Sequence, residues 1–295
     1  MKIVTHSGGF HTDDVFAVAT LLAVYPGAKV VRTRDPKVIA TGNIVVDVGD
    51  VYDPARDRFD HHQEGGAGRR ESGVPYATLG LVWQKYGEQV CGSLEVACAL
   101  ERNLVEPIDA FDNGIDLCAA TVESVHVYRL EQIFFALEPT WQEPERTTDA
   151  SFTEALGIAR GILEREIVHT RASIDAHSII EAVYDATDDK RIVVFGEEHK
   201  FDRALITGAL VPHREVRYLV RKHEGGVWQV VALVDDVYSF ETRKPFPAAW
   251  AGKRGEELAR ITGVPDAVFC HNKRFMCIAR SREGAIKLAE LALAA

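Results

Sequence analysis

The chain has 295 residues, 46% of them hydrophobic, and a formal net charge of −10 from 34 basic and 44 acidic side chains. This length and hydrophobic content can bury a substantial core, in one large domain or two modest ones. The negative charge argues against tight, sequence-independent binding of long nucleic-acid duplexes unless basic side chains cluster locally, whereas short strands are compatible with it.

The first 50 residues predict a strand, a helix and two further strands. A short apolar run at residues 3–4 ends in a Ser-Gly-Gly turn, and apolar residues then recur at helical spacing from Val15 to Ala23. Residues 29–33 and 43–48 are predicted to be strands, the second almost wholly apolar, as expected of a strand covered on both faces. This order is typical of a parallel α/β sheet.

The middle of the chain predicts helices, and its last third predicts short strands. Residues 75–137 and 151–183 have helical periodicity, separated by a loop that contains Pro139 and Pro144. Strands are predicted at 191–195, 216–221, 227–234 and 267–270, with a hairpin across 223–226 and helices at 255–261 and 283–293. We therefore expect an α/β fold, with a parallel-sheet domain and helical extension over residues 1–187 and a smaller α+β domain over 188–295.

The cysteines and the apolar runs indicate the cellular compartment in which the protein is expected. Five cysteines, with no C-x-x-C pair, favour free thiols over a zinc ribbon or a disulfide framework. There is no apolar leader, and no stretch approaches the ~18 consecutive apolar residues of a membrane span. We expect a cytoplasmic protein that does not cross a membrane.

Aspartate and histidine are concentrated at the start of the chain. Residues 1–62 contain eight aspartates, no glutamate and four of the 11 histidines, whereas the rest of the chain has 24 glutamates and 12 aspartates. The short aspartate side chain loses less rotamer freedom when it is fixed, which suits a rigid ligand cage. The residues of interest form three groups: His6, His11 and Asp13 just after the first predicted strand, Asp47 and Asp50 just after the third, and Asp60, His61 and His62 at the end of the segment.

These three groups are expected to meet, because ligands of open α/β sheets collect at the carboxyl ends of the strands. Mixed imidazole and carboxylate ligands suit Mn²⁺, Mg²⁺ or Fe²⁺. Taken singly, His6 is more simply interpreted as a loop residue, and Asp13 and Asp14 as charges at a helix N-terminus. Two adjacent imidazoles behind Asp60 rarely serve packing, so the Asp-His-His sequence favours a function.

The ordered motifs resemble those of the DHH phosphoesterase superfamily and, within it, of the Myg family. The resemblance rests on the groups around His6, Asp47 and His61 and on residues 109–114, and it continues through residues 78–83, 139–141, 243–250 and 282–285. It implies a DHH-type catalytic domain followed by a substrate-binding domain. Cys277 and Ile278 stand where Myg relatives usually carry a glycine pair, a departure that concerns substrate recognition.

The resemblance also implies a ligand set for two divalent cations, Mn²⁺ or Mg²⁺. Asp109 is an alternative to Asp112, Asp50 is a weaker alternative to Asp47, and His11 stands where many relatives have an aspartate. In the implied two-metal mechanism Asp47 bridges the cations, His62 contacts a phosphate oxygen or the leaving group, and Asp60 fixes an imidazole tautomer. The implied metal ligands are His6, His11, Asp13, Asp47, His61 and Asp112.

The implied activity is that of a 3′-5′ exonuclease acting on short or single-stranded RNA or DNA. Candidate substrate-binding side chains besides His62 are Arg69, Arg70, Arg243 and Lys273. Two alternatives stay open: a phosphatase or pyrophosphatase that acts on small molecules such as nucleotides, and a non-catalytic binding module that is stabilised by metal. The sequence leaves the oligomeric state open.

Overall fold

We describe the fold from a computed structural model, which covers residues 1–236 and 241–295. The chain divides into two compact units, Met1–Arg171 and Ala172–Ala295. Within the described residues, no helix is both long enough and apolar enough to cross a membrane.

The first unit contains a five-stranded sheet with the order β2-β1-β3-β5-β4. All neighbouring strands are parallel except β4 and β5, which form an antiparallel pair that the sequence pattern did not predict because each strand has only two residues. The strands are β1 (Lys2–Thr5), β2 (Lys29–Arg32), β3 (Ile44–Val46), β4 (Tyr52–Asp53) and β5 (Arg58–Phe59).

Helices surround this sheet, and the predicted helical region is interrupted. Residues 113–129 lie outside any helix, so the expectation of helical structure throughout 75–137 is wrong there. The helix α5 ends at Asp112, and Gly114 turns the chain away with a φ of +74°, which glycine adopts without strain. The helices are α1 (Thr12–Val24), α2 (Pro36–Ile39), α3 (Thr78–Cys91), α4 (Leu94–Leu100), a π-helical turn (Glu101–Val105), α5 (Glu106–Asp112), α6 (Leu130–Phe135) and α7 (Thr148–Asp185).

The second unit contains a mixed five-stranded sheet with the order β6-β7-β8-β10-β9. The predicted hairpin is confirmed as β7 and β8, whereas the strand β10 and the helix α8 were not predicted. Separate hydrophobic clusters form around Tyr218 and around Leu219, which are adjacent along β7. The elements are β6 (Ile192–Val194), α8 (Arg203–Leu210), β7 (Tyr218–Lys222), β8 (Trp228–Ala232), α9 (Gly255–Thr262), β9 (Ala267–Cys270), β10 (Met276–Ala279) and α10 (Arg282–Ala294).

The expected fold class, an α/β domain with a parallel sheet followed by a smaller α+β unit, is confirmed.

Candidate metal centre

Three strand ends bring the predicted residues together. His6 follows β1, Asp47 follows β3, and Asp60 begins the segment after β5. Because these three strands are parallel, their carboxyl ends lie at one edge of the sheet. At this edge His6 Nε2 is 3.3 Å from Asp47 Oδ2, and His61 Nε2 is 3.5 Å from Asp47 Oδ1.

Asp47 lies at the centre of the arrangement. Its Oδ2 faces His6, while its Oδ1 faces His61, lies 3.5 Å from His62 Nδ1 and accepts a 3.0 Å hydrogen bond from Thr78 Oγ1. The backbone of Asp47 has a φ of +54°, in the left-handed region that only short polar residues and glycine adopt readily. The two oxygens of one buried carboxylate therefore face two different sets of imidazoles.

The first turn of α1 contributes two buried carboxylates with different contacts. Asp13 accepts hydrogen bonds from the backbone amides of Thr78 and Leu79 at the start of α3. Burial, together with the nearby negative charge of Asp112, raises the pKa of Asp13 well above its ordinary value.

Asp14 was interpreted from the sequence only as a helix-end charge, but it belongs to the site. Its Oδ2 lies 3.3 Å from His6 Nε2, and its Oδ1 accepts a 2.8 Å hydrogen bond from the backbone amide of His11. Asp14 caps the N-terminus of α1 through this hydrogen bond. An ordinary helix-capping aspartate occupies the same sequence position, so nothing in the sequence indicated that Asp14 also belongs to the site.

The structure separates Asp109 from Asp112, which the sequence left as alternatives. Asp112 lies 3.2 Å from His61 Nε2 and 3.5 Å from His11 Nδ1. Asp109 is fully buried, pairs with Arg70 at 2.8 Å and accepts a hydrogen bond from the Gly80 amide. Of the two carboxylates, Asp112 is the one that lies among the imidazoles.

Three overlapping groups of side chains have ligand atoms within 4.8 Å of one another. They contain buried carboxylates, which are costly to keep ionised in a protein interior without compensating cations. Asp14 Oδ2 and His61 Nε2 are buried and make no hydrogen bond among the described residues; each instead lies beside an oppositely charged side chain, at 3.3 Å and 3.2 Å, as expected of atoms that would bind an ion. Nitrogen and oxygen donors of this kind fit Mn²⁺ or Mg²⁺. The groups are His6, Asp14 and Asp47; Asp47, His61 and His62; and Asp13, His61 and Asp112.

In the absence of a cation, protons on the imidazoles offset the negative charge of the carboxylates. Burial lowers the pKa of His6, but Asp14 and Asp47 raise it by more, to about 10. Burial likewise opposes the charged form of His61, and Asp112 and Asp47 outweigh it, so that its pKa rises to about 11. The two imidazoles in turn hold the pKa of Asp47 well below its ordinary value, despite the burial of that carboxylate. Both imidazoles therefore carry protons at neutral pH in the cation-free protein.

An open cleft of about 650 Å³ lies against this centre and is lined by His6, His11, Arg34, Asp47 and His62, among others. His62 Nδ1 is 2.8 Å from Asp60 Oδ1, and this contact raises the pKa of His62 although burial opposes it. Arg34 was not predicted from the sequence. Its Nη2 lies 3.2 Å from His6 Nδ1, which brings a cation to the wall of the cleft.

The four candidate phosphate-binding side chains differ in availability. Arg70 pairs with Asp109 and Glu101, and only 6% of its side chain is exposed. Arg243 is also buried, and its guanidinium donates to the carbonyls of three residues, Val211, His213 and Val216. Arg69 and Lys273 are exposed. Groups of the protein therefore already pair with Arg70 and Arg243, and of these four candidates Arg69 and Lys273 are the two with exposed side chains.

Comparisons with known proteins agree with the resemblance seen in the sequence. Residues 2–293 match the family MYG1_exonuc, described as "Uncharacterised protein family (UPF0160)". The chain is 31% identical to "MYG1 exonuclease" of Homo sapiens, with 99% of this chain and 86% of that protein covered. It is also 31% identical to "MYG1 protein C27H6.8" of Caenorhabditis elegans, with 99% and 94% covered.

Among solved structures, a "pGpG-specific phosphodiesterase - PggH from Vibrio cholrae" matches with a TM-score of 0.33 and 15% identity over 99% of this chain and 98% of that chain. We draw nothing from a likeness at this TM-score. The family match and the two relatives extend over nearly the whole sequence, including every residue of the metal centre. The chain therefore belongs to the MYG1_exonuc family.

Proposed function

We propose that this protein is a metal-dependent phosphodiester hydrolase, a 3′-5′ exonuclease that removes nucleotides from short or single-stranded RNA or DNA with two divalent cations, Mn²⁺ or Mg²⁺. The observation that carries the proposal is the Asp47 carboxylate, whose two oxygens face separate groups of ligand atoms. Relatives from human and rat bear the name "MYG1 exonuclease", which supports a nucleic-acid substrate.

Two sets of ligands follow from the contacts. His6 Nε2, Asp14 and Asp47 Oδ2 would hold one cation. His61, Asp13 and Asp112 would hold the second. Asp47 Oδ1 lies 3.5 Å from His61 Nε2, and His11 lies at the margin, 3.5 Å from Asp112. Cations at these positions would lower the pKa of a bound water toward neutrality and neutralise the non-bridging oxygens of the phosphate.

Side chains around the two cation sites would orient the metal ligands and donate a proton to the substrate. His6 Nδ1 lies 3.4 Å from the Ser7 carbonyl and 3.2 Å from Arg34 Nη2. For Nε2 to bind a cation unprotonated, Nδ1 would donate to the Ser7 carbonyl, and the N–H groups of Arg34 would have to turn away from the imidazole. Asp60 holds His62 through Nδ1 and raises its pKa, which favours the protonated imidazole, and Nε2 of that imidazole would donate its proton to a phosphate oxygen or to the leaving group. Arg34 contributes positive charge at the cleft for the phosphate.

The remaining substrate contacts belong to the proposal as well. Residues 188–295 would form the substrate-binding domain, with exposed Lys273 as a phosphate contact, and Arg69 would serve the same purpose near the catalytic centre. Charges of this kind bind any strand through its backbone, so they set affinity rather than sequence preference.

The test is to incubate metal-stripped protein with Mn²⁺, Mg²⁺ or Zn²⁺ and three substrates: pyrophosphate, a mononucleotide and an end-labelled single-stranded oligonucleotide. We expect stepwise loss of 3′-terminal nucleotides with Mn²⁺ or Mg²⁺ and none with a chelator. Orthophosphate release while the strands stay intact would instead identify a small-molecule phosphatase or pyrophosphatase. Thermal stabilisation by the cations without any turnover would identify a binding module.

A further inference from the structure

A second, smaller pocket lies beside the metal centre. It has a volume of about 130 Å³ and is lined by His11, Thr12, Ile108, Phe111, Asp112 and Phe135, among others. We call it the aromatic pocket. His11 lines both this pocket and the 650 Å³ cleft, so the two spaces meet at that imidazole. A ligand held at the metals by its phosphate would reach the aromatic pocket by passing His11, whose side chain is 54% exposed.

Two aromatic rings form the apolar part of the pocket. The ring centroids of Phe111 and Phe135 are 6.3 Å apart and the rings are tilted by 52°. The guanidinium of Arg129 covers Phe111 at 4.9 Å from its centroid and also pairs with Asp116, which fixes that side of the ring. Phe135, in contrast, is 46% exposed. The pocket thus offers one open aromatic face for stacking.

Phe135 is not needed to attach its helix. The preceding residue, Phe134, is fully buried and packs edge-to-face on Phe16 of α1, with ring centroids 5.7 Å apart. Phe134 therefore anchors α6 to the core, while the neighbouring ring lines the pocket beside His11 and Asp112. A single exposed aromatic side chain is ordinary, but this ring lines a pocket beside candidate metal ligands and so presents an apolar surface on which a planar ligand can stack.

A buried hydroxyl independently indicates a ligand in the same pocket. Thr12 is 3% exposed, and its Oγ1 has no hydrogen-bond partner among the described residues. An unpaired buried hydroxyl is unfavourable, and a ligand with polar edge atoms would supply the missing hydrogen bond. The nearby carboxylate of Asp112 disfavours a second phosphate there. A neutral planar ring with polar edge atoms satisfies both conditions.

We propose that the aromatic pocket binds a nucleobase of the substrate, which stacks on Phe135 and hydrogen-bonds to Thr12. This rests on the proposed function and goes further, because it makes the ligand a nucleotide unit rather than a phosphate alone. The pocket is smaller than the roughly 300–1,000 Å³ of pockets that enclose drug-sized ligands, so it accepts a ring and not a whole nucleotide. The sugar and the phosphate lie in the cleft.

The test compares binding of adenosine 5′-monophosphate and ribose 5-phosphate to the cation-loaded protein by calorimetry. Stacking on one aromatic side chain changes affinity by about 5- to 100-fold, and the native protein should prefer the base-bearing ligand by such a factor. Phe135→Ala should abolish most of that preference, and Phe135→Trp should restore it. Ile133→Ala, on α6 outside the pocket and 39% exposed against 46% for Phe135, is the matched control and should keep it.

Thr12→Val, which keeps the shape of the side chain and removes the hydroxyl, should also weaken binding of adenosine 5′-monophosphate more than that of ribose 5-phosphate. Equal preference in native protein and Phe135→Ala would overturn the pocket assignment. Failure of the exonuclease proposal looks different: the protein would prefer the base-bearing ligand and yet leave every phosphodiester intact. The ratio of kcat/KM for a dinucleotide to that for its abasic counterpart, measured in the native protein and in Phe135→Ala, then links the pocket to turnover.

Discussion

Asp13, in the first turn of α1, accepts a 2.7 Å hydrogen bond from the backbone amide of Leu79, in the first turn of α3. Its second oxygen accepts from the amide of Thr78. The N-termini of two helices thus meet at one buried carboxylate, which lies within ligand distance of His61 and Asp112. Folding of α3 and assembly of the metal centre depend on the same side chain.

Replacement of Asp13 by alanine should therefore reduce stability even without metal. Two buried amides would lose their acceptor, at a cost of ~1–3 kcal/mol each. Urea unfolding in the presence of a chelator measures this loss. Asp35→Ala is the matched control, since Asp35 caps the short exposed helix α2 through the amide of Lys37 and should cost ~1 kcal/mol or less. Equal stabilities of the native protein and Asp13→Ala would contradict the shared role.

Asp47→Asn should remove most of the activity while the protein stays folded. The amide retains the size of the side chain, the left-handed backbone and an acceptor for Thr78, but it no longer offers two anionic oxygens to two cations. We expect a decrease in kcat/KM of ~10³-fold or more and the loss of one bound cation in metal analysis. Asp50→Asn, on the exposed rim of the cleft, should keep both.

Asp109 and Asp112 should give opposite results. Asp109→Ala would leave Arg70 with Glu101 alone in a buried site, and breaking a buried pair costs ~3–5 kcal/mol, so we expect a large drop in the unfolding midpoint. Asp112→Ala removes one of the carboxylates that pair with His61, so it should lower the stability of the cation-free protein less than Asp109→Ala does, and it should weaken metal binding. If Asp109→Ala were the variant that lost metal at unchanged stability, the ligand assignment would be reversed.

Metal affinity should rise with pH. The pKa values of His6 and His61 are raised to about 10 and about 11 in the cation-free protein, so at pH 7 both imidazoles must release protons before Nε2 binds a cation. Calorimetry in buffers of different ionisation enthalpy should detect this release, and His61→Ala should reduce it. Without cations the same shifts add stability below about pH 6.5 that is lost as the pH rises through 10 to 11.

His62→Gln should lower kcat and leave cation binding intact, because we assign this residue to proton donation rather than to metal binding. General acid catalysis contributes ~10²–10⁴-fold, and a loss in that range is expected. The pH–rate profile should also lose its alkaline limb, which reports the proton on His62. A variant that lost a cation instead would move His62 into the ligand set.

The sequence predicted the fold class and the meeting of His6, Asp47 and His61, because hydrophobic periodicity and the carboxyl ends of parallel strands determine these features. The family followed from the resemblance of the motifs. The sequence could not predict which side chains pair with one another. Asp109 and Asp112 are three residues apart on α5, and only the packing of Arg70 against Asp109 separates them. Arg243 has the charge expected of a phosphate ligand, yet carbonyl groups distant in sequence surround it.

The left-handed backbone at Asp47 restricts which residues fit this position, in addition to the requirement for a carboxylate. Glutamate has the same charge, but its longer side chain adopts this conformation less readily than aspartate or asparagine does. Asp50 and Asp57 share the positive φ, so three of the eight aspartates in residues 1–62 stand where the chain turns in this sense. The absence of glutamate from this segment thus has a conformational origin as well as a chemical one, and a charge-conserving Asp47→Glu exchange would not be a conservative one.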